Sequence, residues 1–225
     1  CHKADSRATR AWRSLTKSGA SCVLDCLPPS AEDTLSNPPY AIANTGFQRG
    51  PLWHKTVPPS ARHAGGALPH YAAHNLYALA MAKTTYAAYV NGTGGSQRPF
   101  LLSRASFPGL GAYSAHWTGD NGAGWGDLAW SVAGVINSGL WGVPLVGADV
   151  CGFLRDTTQE LCARWLEAGA FYPFMRDHSD KGAMRQEAYL WPATTAAAKG
   201  ALALRLRLLP YLYTAFHSAH TRGGA

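Results

Sequence analysis

The sequence predicts an α/β fold, and three observations predict it. Short apolar runs recur without polar alternation at 99–103, 113–117, 143–147 and 170–174. Stretches with helical spacing separate them. A polar residue able to do chemistry follows each run: Arg104, Asp120, Asp149 and His178. Strands that are apolar throughout, with helices between them, belong to a parallel sheet covered on both faces. The strand C-termini build the active site in a β/α-barrel and the ligand crevice in a doubly wound sheet, so the pattern admits both and favours the barrel mildly.

Taken in order, residues 21–70 are dense in Pro, Gly and Asn, with Pro28-Pro29, Pro38-Pro39 and Pro58-Pro59, and read as a long irregular segment. Residues 71–89 support a helix, which the Gly-rich stretch 92–97 ends. After the Gly-rich turn at 122–126, Leu128, Val132, Val135 and Ile136 fall at helical spacing. The run Thr157-Thr158-Gln159-Glu160 reads as a capping box that starts a helix carrying Leu161, Trp165 and Leu166. Residues 196–220 form a long helix with Pro210 as a kink.

The composition narrows the function classes. Of 225 residues, 47% are apolar and 15% charged, the opposite of a disordered chain. No apolar run approaches the roughly 18 to 20 residues that span a bilayer. Of the net charge of +7, Lys3, Arg7, Arg10, Arg13 and Lys17 lie in the first twenty residues against Asp5 alone. The body therefore lacks a basic face for nucleic acid, and residues 1–21 read as a basic tail. The first residue is Cys1 rather than Met, so the chain reads as a fragment whose N-terminus lies upstream.

Five cysteines include two close pairs, Cys22 with Cys26 and Cys151 with Cys162. Their spacing does not suit zinc, and two short-loop disulfides in an oxidising compartment compete with reduced core thiols. Asn91 opens a glycosylation sequon with Gly92 and Thr93 in the Gly-rich loop. No metal or cofactor motif is present.

Four residues invite a chemical reading, each with a structural alternative. Asp120, between Trp117 and Trp125 in GAYSAHWTGDNGAGW, suits a desolvated general acid beside flat sugar-binding faces; the alternative is an ordinary Asp-Asn-Gly turn. Asp149, in VGADVCGF, suits vicinal hydroxyls or, equally, a helix N-cap. Arg104 suits a bidentate grip on a carboxylate or a structural ion pair. His178 suits a donor to a hydroxyl or a structural role.

Longer blocks carry a resemblance. RPFLLSRASFPGLGAYSAHWTGDNGAGW, GVPLVGADVCGF, ELCARWLEAGAFYPFMRDHS and LRLRLLPYLYTAFHSAH resemble consecutive blocks of the glycoside hydrolase family 31 α-glucosidases. NPPY and YAAHNLYALA resemble the connecting region of plant-like members, and the similarity runs from about Cys22 to His220. It implies a TIM-type barrel and a retaining reaction on terminal α-linked glucose of malto-oligosaccharides. On that resemblance Asp120 is the general acid/base. Arg104, Trp117, Asp149, Phe153 and His178 shape the first glucose subsite, and Cys151 pairs with Cys162 as in the secretory branch. The expected compartment is the secretory pathway: extracellular, vacuolar or lysosomal.

One departure matters. The family's WIDMNEP-like nucleophile block does not occur, whereas retaining chemistry needs two carboxyl groups about 5 Å apart. The expectation is the second half of a barrel, about four β/α units over 71–225, with 22–70 as a barrel-associated segment. The rest of the barrel and the nucleophile would then come from upstream sequence. A non-catalytic carbohydrate-binding protein that keeps the sugar subsite is the competing reading.

Overall fold

The computed structural model describes Leu52 and residues 57–223. Cys22, Cys26 and the basic tail lie outside the described residues. The chain divides into two compact units, Cys1–Tyr77 and Ala78–Ala225.

In the first unit, β1 (Arg62–His63) pairs antiparallel with β2 (Leu68–Pro69) across a turn of positive-φ residues, so part of the segment expected to be irregular is a small hairpin. Helix α1 (His70–Gly92) follows directly, because the N–H groups of His70 and Tyr71 bond back to the carbonyls of Ala61 and Pro59. Three imidazoles form a hydrogen-bonded row, His63 to His70 at 2.9 Å and His70 to His74 at 3.0 Å. Burial, with the neighbouring imidazoles adding to it, pushes His70 below the usual histidine range. Helix α1 extends beyond the expected 71–89, and Asn91 sits in its exposed last turn rather than in the loop.

The second unit holds the parallel strands. β3 (Leu102–Ser103), β4 (Ala115–Trp117) and β5 (Val146–Gly147) pair parallel in that order. β6 (Asp149–Val150) pairs parallel with β7 (Arg176–Asp177). Only Ala148 separates β5 from β6, so one extended segment leaves β4 and takes up β7. Helices α2 (Trp125–Leu140) and α3 (Gln159–Gly169) connect the strands, and α4 (Pro192–Arg222) follows β7. The alternation expected from sequence holds from β4 onward, with shorter strands, whereas β3 and β4 are joined by a loop with a single 3-10 turn (Leu110–Ala112) instead of a helix.

Several expectations need correction. Residues 170–174 are not a strand. The N–H groups of Ala170, Phe171 and Tyr172 bond back to the end of α3, and the carbonyls of Ala170, Tyr172 and Pro173 accept from the Arg205 guanidinium on α4. The strand therefore starts at Arg176, once the backbone is released from that grip. Phe100, expected in a buried strand, is 61% exposed. The stripe of α2 that meets the core is Leu128, Ser131, Val135 and Ser138, while Val132 and Ile136 lie one step round the helix and are exposed. Two buried serines thus stand where an apolar pattern cannot register them. The N-cap of α3 is Thr158, whose hydroxyl accepts the Leu161 N–H at 3.3 Å, so the Thr157 and Glu160 box does not form. Helix α4 starts four residues before the expected position, with Pro192 in its first turn, where proline's missing N–H costs nothing.

The core of this unit sits beneath β6. Val150, Leu161, Trp165, Leu166 and Tyr172 pack around the Cys151–Cys162 disulfide, and both cysteines are fully buried. Burying each of the Val and Leu side chains contributes about 1.5 to 3 kcal/mol. The site-bearing strand thereby rests on the best-packed part of the unit.

Candidate active site

The parallel pairings put the ends of β3, β4, β6 and β7 on one side, and the residues singled out in sequence lie there. Arg104 follows β3 and pairs with Asp120, beyond β4, at 3.3 Å; both remain partly exposed. Gly119 (φ 89°) permits this approach, since a Cβ there would come within 2.9 Å of Arg104 Nε. The pair is solvent-accessible and worth little as stability.

Asp149 is not a helix cap. It opens β6, is 1% exposed, and accepts at Oδ1 from Arg176 Nη2 at 2.5 Å and Nε at 3.2 Å. Its Oδ2 is buried and has no hydrogen-bond partner among the described residues. Burial pushes the Asp149 carboxyl above its usual range, opposed by the Arg176 hydrogen bond and charge and by His178; the charge of Asp120 adds to the rise. Asp120 and His178 therefore both lie within electrostatic reach of Asp149.

Arg176 was missed as a site residue in the sequence, where it read as one member of a polar tail. Its guanidinium lies 5.4 Å from the ring centre of Trp117 on β4 and 5.5 Å from that of Phe174. Cation–π attraction from two rings holds it over Asp149. Trp125 stands apart at the start of α2, 54% exposed.

Asn121 is the second residue the sequence reading missed. Its side chain donates to the Asp149 carbonyl at 2.9 Å and accepts the Asp149 N–H at 3.1 Å. Its own carbonyl accepts the N–H groups of Phe153 and Leu154. The Asp-Asn-Gly sequence is thus a clamp between the Asp120 loop and the Asp149 loop. After β6, Cys151 (φ 69°) and Gly152 (φ 93°) both take left-handed conformations, and a Cβ on Gly152 would fall 2.4 Å from Ala123. That close approach delivers Phe153 to His178, with ring centres 5.0 Å apart.

Asp177 follows Arg176, and its Oδ1 accepts from Gln186 Nε2 at 2.7 Å. The residue as a whole is exposed, yet loss of water around its carboxyl pushes it up to about 6, opposed by the Gln186 hydrogen bond. A cleft of about 550 Å³ opens beside Asp177 and His178 and is lined by residues between 177 and 188. Among the described residues no cluster of His, Cys, Asp and Glu is arranged to hold a metal, and no helix is long and apolar enough to cross a membrane.

A carboxyl held by an arginine, a buried carboxylate with one oxygen unpaired, and an aromatic–histidine pair gather at the ends of the parallel strands. The glycosyl hydrolases family 31 TIM-barrel domain model matches residues 14–215, and the chain belongs to that family. It is 51% identical to a probable alpha-glucosidase of Oryza sativa subsp. japonica over 87% of this chain and 22% of that protein. It is 44% identical to alpha-xylosidase 1 of Arabidopsis thaliana over 90% of this chain and 22% of that protein. With the lysosomal alpha-glucosidase of Mus musculus the identity is 48% over 84% of this chain and 19% of that protein. Among solved structures, the glucosidase II alpha subunit (Glc1Man2-bound form) superposes with a TM-score of 0.70 at 42% identity, over 75% of this chain and 18% of that one. The chain thus spans about a fifth of the length of these relatives.

Proposed function

We propose that this polypeptide supplies the acid/base side and the first sugar subsite of a retaining α-glucosidase. The observation that carries the reading is Asp149: a buried carboxylate with Oδ1 committed to Arg176, Oδ2 unpaired, and His178 within electrostatic reach. Leaving such an oxygen unbonded costs free energy, which a ligand hydroxyl donating to it would restore. Asp120, oriented by Arg104, is the general acid that protonates the leaving oxygen and then, as a carboxylate, the base that activates water. Trp117 lines the subsite wall, and Arg176 fixes Asp149 beneath it.

The second carboxylate of the mechanism has no candidate among the described strand ends. Asp149 is held by Arg176 and Asp177 by Gln186, so neither is free to attack an anomeric carbon. The nucleophile therefore comes from another strand of the barrel, outside these residues. Residues 71–225 then form about four β/α units of its second half. An arc of four short strands cannot close an eight-stranded barrel. The 225-residue polypeptide alone is expected to show no turnover.

Malto-oligosaccharides or other starch-derived α-glucans are the substrates this reading favours, and an α-xyloside is the alternative raised by the plant relative. The buried disulfide supports folding in an oxidising compartment of the secretory pathway, and the exposed Asn91 suits glycan attachment there. The test is to express the gene product carrying these residues and follow maltose and p-nitrophenyl α-xyloside hydrolysis by NMR. Release of glucose first as the α-anomer, faster than xylose, is expected. Initial β-anomer, or preference for the xyloside, would overturn the assignment.

A further inference from the structure

Gln186 lies in the irregular segment after β7 and is 4% exposed. The ladder between β6 and β7 ends at the pair Val150 and Asp177. Beyond it the chains part, one entering Gly152 and Phe153, the other His178. The Gln186 carboxamide bridges that divergence: Nε2 lies 3.2 Å from the Val150 carbonyl, 3.2 Å from the Gly152 carbonyl and 2.7 Å from Asp177 Oδ1.

The two carbonyls can only accept, so they dictate that the amide nitrogen faces them. Two hydrogens meet three acceptors. The equal 3.2 Å distances fit one hydrogen shared between the carbonyls, and the 2.7 Å contact fits the other given wholly to the carboxylate. The Gln186 Oε1 is meanwhile buried and unbonded among the described residues. A side chain that only filled space would avoid that cost by being apolar.

We propose that Gln186 is a positioning residue for the sugar subsite: its carboxamide sets the separation of Phe153 and His178 by tying Gly152, next to the one, to Asp177, next to the other. Phe153 is then held at three points. Asn121 takes its N–H, Gln186 takes the preceding carbonyl, and its own carbonyl accepts the Asp180 N–H. This deepens the proposed function and rests on it.

The experiment compares wild type, Q186M and Q186E in the gene product carrying these residues, with maltose kinetics from pH 4 to 8 and thermal melting of each. Q186M keeps the length and loses the donor; KM should rise about 10-fold with a smaller change in kcat, the size of one or two lost hydrogen bonds to a shared binding surface. Q186E sets an acceptor against three acceptors once ionised, so its activity should fall off at lower pH than wild type. Rescue towards acid pH follows from the single hydrogen of the protonated form. If Q186E melts below the assay temperature, the Q186M KM decides. A lowered melting temperature with wild-type KM and pH profile would overturn the proposal and leave Gln186 a packing residue. A wild type that neither hydrolyses maltose nor binds a glucose-configured iminosugar would instead overturn the functional reading beneath it.

Discussion

Arg176 binds one oxygen of Asp149 through two of its nitrogens and leaves the other oxygen buried without a partner. The cation makes burial of the carboxylate tolerable, while its one-sided grip keeps an acceptor in reserve. Substituting R176M should therefore destabilise the protein by about 3 to 5 kcal/mol, the usual consequence of stranding a buried charge. Chemical denaturation measures it, and D149N combined with R176M should recover part of the loss. A cost below about 1 kcal/mol would mean that solvent screens the pair.

Asp120→Asn in the gene product should cut maltose hydrolysis by about 10² to 10⁴-fold, the range of general-acid contributions. Aryl glucosides with good leaving groups need little proton donation and should lose far less in the first step. The kcat/KM values on both substrates, which report the first step alone, decide the matter. Equal losses would remove Asp120 from the acid role and leave it as the partner of Arg104.

The disulfide between Cys151 and Cys162 closes a short loop from the end of β6 to the first turns of α3. Cys162→Ser should lower stability by about 3 kcal/mol through the loop entropy restored to the unfolded chain. Peptide mapping without reduction should recover the two cysteines in one linked fragment. Both thiols reacting with an alkylating agent in folded protein would contradict the pairing.

Asp177 sets a pH dependence of known sign. Its carboxyl titrates near 6 in the folded protein against a usual value of 3.8, because burial disfavours the charge. Between those values the folded state binds more protons than the unfolded state, so stability falls as pH rises through that window. D177N should melt higher than wild type at pH 7, with the difference closing toward pH 4. A constant difference across the range would show that the carboxyl titrates normally.

The order of strands and helices was legible because apolar runs and helical spacing survive any detail of packing. Arg104, Asp120, Asp149 and His178 were legible as candidates because each follows or interrupts such a run. The resemblance to the family added Phe153 and the subsite role of Trp117, and it supported the pairing of Cys151 with Cys162 that their spacing had already raised. Strand limits were not legible, since Arg205, far along the chain, claims the carbonyls of Ala170, Tyr172 and Pro173 and delays β7 to Arg176. The buried serines of α2 escaped for a related reason: Ser131 meets the Tyr172 hydroxyl, a partner that no local pattern announces.

Residue type and spacing along the chain were enough to determine the α/β class and the side of the sheet on which the candidate residues lie, because both follow from local periodicity. Which carboxylate is buried, which arginine holds it, and which amides lock the loops above it were decided only by the tertiary structure. Asn121 reaches Asp149 across 28 positions and Gln186 reaches Val150 across 36. Hydrogen bonds depend on distances of a few tenths of an ångström, and such distances between remote segments exist only once the chain has packed.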